Sequence, residues 1–230
     1  MRIPGGGRDI VITIDGPAGA GKSVVAAALA QRLGFTLVDT GALYRGLAWA
    51  MREAGVPIED GPALRRLLEA TTVTLDGPRV LVNGRDVTLE IRTPAISQLT
   101  SRLTTLAPVR DKMTPAQRDL ATAGGAVLEG RDTGSVVWPE AEVKFYLDAD
   151  LDTRARRRWN ELNARGLSGE SLEAVRDEVA RRDRQDRERT LAPLVKPEGA
   201  VVVDTTGLGI TEVVDTLLRV VEQARCCTRS

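Results

Sequence analysis

The sequence predicts a three-layer α/β/α fold with a five-stranded parallel sheet, a small antiparallel β insertion and a helical lid. Three observations support this prediction. A glycine-rich loop at 16–23 lies between an apolar β-branched run and an Ala- and Leu-rich run. Five apolar runs are separated by helical segments, which is typical of parallel strands joined by crossover helices. Three short runs near position 80 follow one another without a helix, and arginine is concentrated between 154 and 189.

The loop at 16–23 matches the pattern G-x-x-x-x-G-K-[ST], and its flanks fit that motif. Residues 10–14 predict a buried strand, and residues 24–33 predict a helix that Gly34 ends. Glycines let successive backbone N–H groups point into one concavity, and the helix N-terminus adds the positive end of its dipole. The motif therefore predicts a P-loop NTPase fold and an ATP site, in preference to an ordinary glycine-rich turn.

Two polar side chains of the loop have separate chemical tasks. Lys22 supplies a point charge for the β- and γ-phosphates, and the hydroxyl of Ser23 is a candidate ligand for Mg²⁺. Asp39 ends the next predicted strand and is the second candidate metal ligand. We therefore expect Mg²⁺ to accompany ATP as co-substrate. The predicted ATP-binding residues of the loop are Gly16, Pro17, Ala18, Gly19, Ala20, Gly21, Lys22, Ser23 and Val24.

Composition excludes several classes of protein. The net charge of the 230 residues is zero, so neither a nucleic-acid polymer nor an anionic membrane is the expected partner. The chain has no histidine, which excludes His-based triads and His metal sites. Cys226 and Cys227 are neighbours, and adjacent cysteines pair poorly, so we expect a reducing cytoplasmic location and no structural zinc. We also expect a monomer.

The remaining elements are predicted from periodicity and turn signals. Residues 1–9 predict a disordered lead. Core strands are predicted at 35–39, 126–129, 143–148 and 201–204, and helices at 40–54, 62–70, 93–121 with a break at Pro108, and 210–225. The turn signals Asp76-Gly77-Pro78 and Asn83-Gly84 divide antiparallel strands at 72–75, 79–82 and 86–89. We predict a core of 9–62, 91–150 and 195–226, a movable insertion of about 63–90, and a lid of about 151–190.

Polar side chains are predicted to gather at the ends of the core strands. In open α/β sheets ligands bind at the carboxyl ends of the strands, so Thr40, Tyr44 and Arg45 are expected near the P-loop. Arg110 and Arg131 lie on elements that converge on the same place. This much positive charge indicates an anionic phosphate acceptor.

The arginine-rich stretch predicts a helix, a turn at 165–169 and a second helix. Arg154 and Arg158 are four residues apart and are therefore expected on one face of the first helix. Guanidinium groups on such a lid would arrive at a transferring phosphoryl group when the lid closes. A solvated helix pair with internal ion pairs is the alternative.

These features favour a small-molecule kinase over other P-loop proteins. The guanine-binding pattern Asn-Lys-x-Asp of GTPases is missing from the sequence, and no second nucleotide motif accompanies the P-loop. The acceptor stays open at this point: a nucleoside monophosphate or a shikimate-like molecule would each fit a P-loop kinase. A nucleotide-binding regulatory or RNA-associated protein is disfavoured because the chain has few aromatic residues for stacking.

Five segments in order along the chain resemble the bacterial cytidylate kinase family. They are residues 12–23, the segment Asp39-Thr40-Gly41-Ala42-Leu43-Tyr44-Arg45, Glu90-Ile91-Arg92-Thr93, Glu129-Gly130-Arg131-Asp132-Thr133-Gly134, and residues 189–194. The P-loop is common to many kinases, whereas the second and fourth segments are more specific. The resemblance implies a nucleoside monophosphate kinase that uses ATP and Mg²⁺ to convert CMP or dCMP into CDP or dCDP.

The resemblance also implies roles for single residues. Lys22, Arg131 and Arg158 would be catalytic. Arg154 would lie over the adenine of ATP, and Arg45 and Arg131 would hold the acceptor phosphate. Thr40, Arg110, Asp132 and Arg189 would meet the cytosine, and Ser101, Arg182 and Asp186 would hold the ribose. Tyr44 is also expected to bind the acceptor.

The chain departs from the family pattern at three positions. Thr40 stands where Ser is common, and Glu129 stands where Asp is common, which leaves a metal-side role of that carboxylate open. Ser23 stands where Gly is sometimes found and supplies a hydroxyl for Mg²⁺. Asp15 is expected either to support the site from behind or to cap the loop.

Overall fold

The computed structural model describes residues 9–167 and 169–227. Residues 1–8 of the expected lead at 1–9, and Ser168 of the expected lid turn, lie outside the described residues. Five parallel strands form the central sheet in the spatial order β2, β6, β1, β7, β8. They are β1 (Val11–Asp15), β2 (Thr36–Asp39), β6 (Ala126–Glu129), β7 (Val143–Asp148) and β8 (Val201–Asp204). The predicted fold class is confirmed.

Helices cover both faces of this sheet. The helices are α1 (Lys22–Leu33), α2 (Thr40–Glu53), α3 (Pro62–Ala70), α4 (Pro94–Leu103), α5 (Ala107–Ala121), α6 (Leu151–Ala164), α7 (Leu172–Glu188) and α8 (Ile210–Cys227). Alternate residues of a strand point to opposite faces. Accordingly Ile12 and Ile14 pack with α1 and α8, whereas Val11 packs with Ala121 of α5 on the other side.

The predicted insertion is present and is antiparallel. Its strands are β3 (Val73–Asp76), β4 (Arg79–Val82) and β5 (Arg85–Asp86). Asn83 and Gly84 both have positive φ, 49° and 81°, as the tight hairpin turn requires. The third strand is shorter than predicted. It ends at Asp86 because the side chain of Thr88 takes up the backbone N–H of Val80, at 2.9 Å, in place of a ladder partner.

The insertion shares one hydrophobic cluster with α2, α3, α4 and α5. Val73, Val80 and Val82 of the insertion pack with Leu43 and Leu47 of α2 in this cluster. Any movement of the insertion therefore has to carry α2 with it or break these contacts.

The helical segment 93–121 is broken earlier than predicted. The break lies between Leu103 and Ala107, and Pro108 sits in the first turn of α5. Proline is tolerated there because the first-turn N–H groups have no partner within the helix. Pro108 therefore correctly indicated an interruption of the helical segment, but it marks the start of α5 and not the break itself.

No helix among the described residues is long and apolar enough to cross a membrane.

Candidate active site

A cavity of about 700 Å³ opens at the carboxyl ends of the parallel strands. The P-loop, the start of α2, α4, the residues after β6 and both lid helices line it. Basic side chains outnumber acidic ones in its wall. The basic ones are Lys22, Arg45, Arg92, Arg131, Arg157, Arg158, Arg165, Arg182 and Arg189, against Asp39, Glu129, Asp132, Glu161, Glu178 and Asp186. The cavity is thus suited to polyanionic ligands.

The P-loop passes close to neighbouring backbone, which is why glycine is needed. A Cβ on Gly16, whose φ is 146°, would lie 2.0 Å from the carbonyl oxygen of Leu147. Gly21 has φ 87° and precedes α1 without any side-chain cap. The N-terminus of α1 is therefore left open toward the cavity, as a phosphate site requires.

Lys22 is almost fully buried, with 5% of its surface exposed. Its Nζ donates to the carbonyl of Pro17 at 2.7 Å. Burial, together with repulsion by Arg131 and Arg182, lowers the pKa of Lys22 to about 7. The carboxylates of Glu129 and Asp15 offset this lowering only in part, so a phosphate bound beside Lys22 would stabilise its charged form.

Ser23 and Glu129 form a direct pair beside Lys22. The Ser23 hydroxyl donates to Glu129 Oε1 at 2.7 Å. Burial and the nearby Asp39 raise the pKa of Glu129 to about 7. Asp39 itself caps α2 by accepting from the Ala42 N–H at 2.7 Å, and it pairs with Arg45 at 3.2 Å. Three oxygen-bearing side chains thus meet at one edge of the P-loop.

Asp132 lies between two arginines at the far end of the cavity. It forms a buried ion pair with Arg110, and its Oδ1 accepts from Arg189 Nη2 at 3.2 Å. Thr40 lies nearby, and its hydroxyl donates to the carbonyl of Glu129 at 2.7 Å. The Arg110 guanidinium lies 5.9 Å from the centre of the Tyr44 ring. Hydrogen-bond donors and acceptors thus lie close together at this end of the cavity. Such an arrangement suits the polar edge of a flat ring such as a nucleobase.

Four buried polar groups of the cavity wall have no hydrogen-bond partner among the described residues. They are the hydroxyls of Tyr44 and Ser101 and the Nε atoms of Arg45 and Arg182. Buried polar groups are nearly always hydrogen-bonded, so these four are available to a polar ligand. Asp186, which pairs with Arg131 at 3.0 Å, lies one helical turn from Arg182.

Most of the predicted residues line the cavity, whereas Gly16, Pro17, Arg110 and Arg154 do not. Arg154 departs most from its expected place. Its guanidinium is buried beneath the P-loop, paired with Asp183 and bound to the carbonyls of Ala18 and Ala149. The expectation that Arg154 covers the adenine is not met in this structure. Its donors are used by the protein, and α6 turns it away from the cavity.

Arg157, three residues further along α6, was not among the predicted site residues. It lines the cavity and binds the hydroxyl and carbonyl of Thr205 at 2.9 and 2.6 Å. Val24, Leu208 and Ile210 form an apolar rim next to it. The sequence has arginine at positions 154, 156, 157 and 158, but helix periodicity alone does not show which of these side chains faces the cavity.

Arg158, in contrast, does reach the cavity. It pairs with Glu161 at 2.8 Å, and Glu161 also pairs with Arg165 at 2.8 Å. Arg92 also lines the cavity, although the sequence did not predict it as a site residue. The lid therefore holds cationic groups near the P-loop, with one carboxylate shared between two of them.

Asp15 supports the site from behind rather than capping the P-loop. Its carboxylate accepts from the N–H and hydroxyl of Thr133, both at 2.8 Å, and from the N–H of Gly134 at 2.7 Å. Burial raises its pKa despite these bonds. The contacts fix the short helical turn Thr133–Val137 and hence the position of Arg131 and Asp132 just before it.

The fold and the cavity together define a P-loop protein of the small-molecule kinase class. A solved gluconokinase from Sinorhizobium meliloti has a similar fold, with a TM-score of 0.50 and 14% identity over 94% of this chain and 93% of its own. At that identity the likeness concerns the fold alone.

Sequence comparison narrows the class to one family. The family model described as cytidylate kinase matches residues 12–223. A cytidylate kinase of Symbiobacterium thermophilum is 47% identical over 93% of this chain and 96% of its own length. One of Carboxydothermus hydrogenoformans is 48% identical over 91% of this chain and 96% of its own length. The chain belongs to the cytidylate kinase family.

Proposed function

We propose that the protein transfers the γ-phosphate of ATP to CMP or dCMP, giving ADP and CDP or dCDP. The observation that carries the proposal is the single cavity that joins the P-loop to the Arg110–Asp132–Arg189 cluster. Family membership supports the same reaction. We further propose that the protein acts as a monomer, since residues of one chain suffice for every role named below.

Asp132 and Thr40 are proposed to read the cytosine. Both carry oxygens that can accept from the exocyclic amine, a donor that uracil lacks. A site built around that hydrogen bond penalises UMP because a buried acceptor would be left unpaired. Arg110 and Arg189 hold the Asp132 carboxylate in place and would offer donors to the O2 carbonyl oxygen and the N3 atom of the cytosine, with Tyr44 under Arg110.

Ser101, Arg182 and Asp186 are proposed to bind the ribose. The unpartnered Ser101 hydroxyl and Arg182 Nε support this assignment. A site that relies on these groups for the 3′ side of the sugar would accept dCMP as well as CMP.

Arg45 and Arg131 are proposed to hold the acceptor phosphate, and Lys22, Arg131 and Arg158 to neutralise the transferring group. Phosphoryl transfer needs positioning and charge compensation more than a nucleophilic side chain. In the structure each of these three arginines is paired with a carboxylate: Arg45 with Asp39, Arg131 with Asp186 and Arg158 with Glu161. Substrate phosphates would take over as their partners.

The donor nucleotide is proposed to bind the P-loop residues 16–24, with Arg157 in place of Arg154 beside the adenine. The apolar rim next to Arg157 supports this change. Mg²⁺ fits the neighbouring oxygens: Ser23 would be a direct ligand, with Asp39 and Glu129 close enough to bind its waters. Such a site needs few protein ligands because the phosphates and water supply the rest. When bound, Mg²⁺ would offset charge on the β- and γ-phosphates.

The division of the chain into a core, an insertion at about 63–90 and a lid at about 151–190 is also a proposal. The lid helices α6 and α7 carry Arg157, Arg158 and Arg182, and their outer turn is exposed. Closure of this outer part would bring the charges around both nucleotides and exclude water.

A coupled assay over an acceptor panel tests the proposal. CMP and dCMP should be phosphorylated with a higher kcat/KM than UMP, AMP or shikimate. The Lys22→Ala variant is the inactive control, and its far-UV circular dichroism should match the wild type. Better turnover of UMP or AMP than of CMP would reject the cytosine assignment.

A further inference from the structure

Residues of both lid helices, α6 and α7, form hydrogen bonds with Ala18 of the P-loop. The Ala18 N–H donates to Asp183 Oδ1 at 3.1 Å, and its carbonyl accepts from Arg154 Nη1 at 3.0 Å. Arg154 and Asp183 also pair with each other, and Arg154 Nε donates to the carbonyl of Ala149 at 2.8 Å. Both backbone polar groups of one loop residue are thus bound by one ion pair.

This ion pair is deeply buried. The side chains of Arg154 and Asp183 are only 7% and 3% exposed. Around it, the Ala18 side chain packs with Leu162, Val175 and Val179 in a small core otherwise made of lid residues. The P-loop therefore contributes a residue to the hydrophobic core of the lid.

Close backbone packing adds a third contact. A Cβ on Gly19 would lie 2.7 Å from the Arg154 carbonyl oxygen and 2.9 Å from its Cβ. Glycine at this position lets α6 touch the loop directly. Hydrogen bonds, apolar packing and this backbone contact all act on the same two loop residues.

The Ala18 N–H points to Asp183 and is not available to a phosphate. Its bond instead fixes the curvature of the loop before any nucleotide arrives. A loop held in the bound shape loses less conformational entropy on binding, and affinity rises accordingly. Because of these contacts, the parts of α6 and α7 next to Ala18 cannot move without displacing the P-loop.

We propose that Asp183 and Arg154 are positioning residues that hold the P-loop in its ATP-binding shape through Ala18. The inference rests on the proposed function only in naming ATP as the ligand of the loop. It predicts a selective loss of ATP affinity when the pair is removed, because the pair bonds Ala18 of the P-loop, whereas the acceptor-binding residues of the same helix, Arg182 and Asp186, face the cavity.

Calorimetric titration of the full-length protein with ATP and with CMP, each alone, tests this. Asp183→Asn should weaken ATP binding by about tenfold or more, the usual cost of a charged buried hydrogen bond, and change the Kd of CMP by less than about twofold. The matched control is Arg176→Met. It removes the Arg176–Asp152 pair, at 2.6 Å, which also joins α6 to α7 but is exposed and lies outside the cavity wall. This control should change neither Kd.

A second variant covers the case in which Asp183→Asn does not fold. The double variant Arg154→Met/Asp183→Leu replaces the pair by apolar groups of similar size, which buried ion pairs often tolerate. It should fold and still bind ATP weakly. Unchanged ATP affinity in the folded double variant, or an equal loss for ATP and CMP, would overturn the proposal.

Hydrogen exchange on the unmodified protein gives an independent readout. The Ala18 amide should be protected in the absence of ATP, because Asp183 already binds it. Exchange of this amide at the rate of an open loop would contradict the proposal whatever the variants do. If the protein binds ATP as described but does not phosphorylate CMP, the proposed function fails and this inference stands.

Discussion

Asp132 is held by Arg110 on one side and Arg189 on the other, with its carboxylate 8% exposed. Replacing Asp132 by Ala removes the acceptor proposed for the cytosine amine and leaves two buried guanidinium groups facing each other. We expect the KM of CMP to rise by about tenfold or more, since a charged hydrogen bond is lost. The discrimination between CMP and UMP should narrow, as measured by the ratio of their kcat/KM values.

Asp119→Ala is the matched control, because Asp119 is an exposed carboxylate on the same helix as Arg110. An Asp132→Ala enzyme that keeps the wild-type CMP to UMP ratio would remove Asp132 from base recognition.

Lys22 and Glu129 give the stability of the ligand-free protein a definite pH dependence. Burial raises the pKa of Glu129 from 4.5 to about 7, so between these values the folded state holds a proton that the unfolded state releases. Stability from this group therefore falls as the pH rises toward 7. Burial lowers the pKa of Lys22 from 10.5 to about 7, so above pH 7 the unfolded state holds the extra proton and stability rises again.

The contribution of Lys22 and Glu129 to the free energy of unfolding should thus be lowest near pH 7. Urea denaturation between pH 5 and pH 9 measures it, as the difference between the wild type and the double variant Lys22→Met/Glu129→Gln. A difference that is independent of pH would show that the two groups titrate normally.

At the scale of elements, the insertion is tied to α2 at Gly46. A Cβ there would lie 2.7 Å from Cγ1 of Val73 and 3.3 Å from Cγ1 of Val80. Gly46→Ala gains about 1 kcal/mol of helix propensity, but overpacking costs about 1–3 kcal/mol. We expect a net loss of free energy of unfolding, measured by urea denaturation, and a weaker affinity for CMP.

The double variant Gly46→Ala/Val73→Ala separates the two effects. Shortening Val73 makes room for the new methyl group, so the coupling free energy between the two substitutions should be favourable. Additive effects would mean that the insertion is not packed against α2 as described.

At the scale of the whole molecule, the single cavity predicts that both nucleotides are bound side by side. A ligand that links adenosine to cytidine through a polyphosphate should raise the melting temperature more than ATP and CMP together at equal concentrations. The reason is that the second half binds at a high effective concentration. An adenosine–polyphosphate–uridine ligand is the control and should stabilise less. Equal shifts for the linked ligand and for ATP alone would show that the two halves of the cavity do not form one site.

Several sequence predictions could be made because they depend on short-range chemistry. The P-loop, the start of α2 at Thr40 and the end of α1 at Gly34 each follow from residue types at fixed spacing, and Gly34 has the positive φ of 68° expected of a helix end. The role of Asp15 stayed open, because its partners Thr133 and Gly134 lie more than a hundred residues further along the chain.

The sequence by itself determined the class of this protein: a phosphate loop on a parallel sheet, an antiparallel insertion, an arginine-rich lid and membership of a kinase family. These follow from local backbone preferences and from motifs whose chemistry needs particular residues in sequence. Only the tertiary structure decided which arginines serve the cavity. Arg154 and Arg157 lie on the same helix, three residues apart, and the way α6 packs on Ala18 turns the first beneath the P-loop and the second toward the nucleotide site. That packing depends on contacts between distant segments, and no periodicity within one helix can specify it.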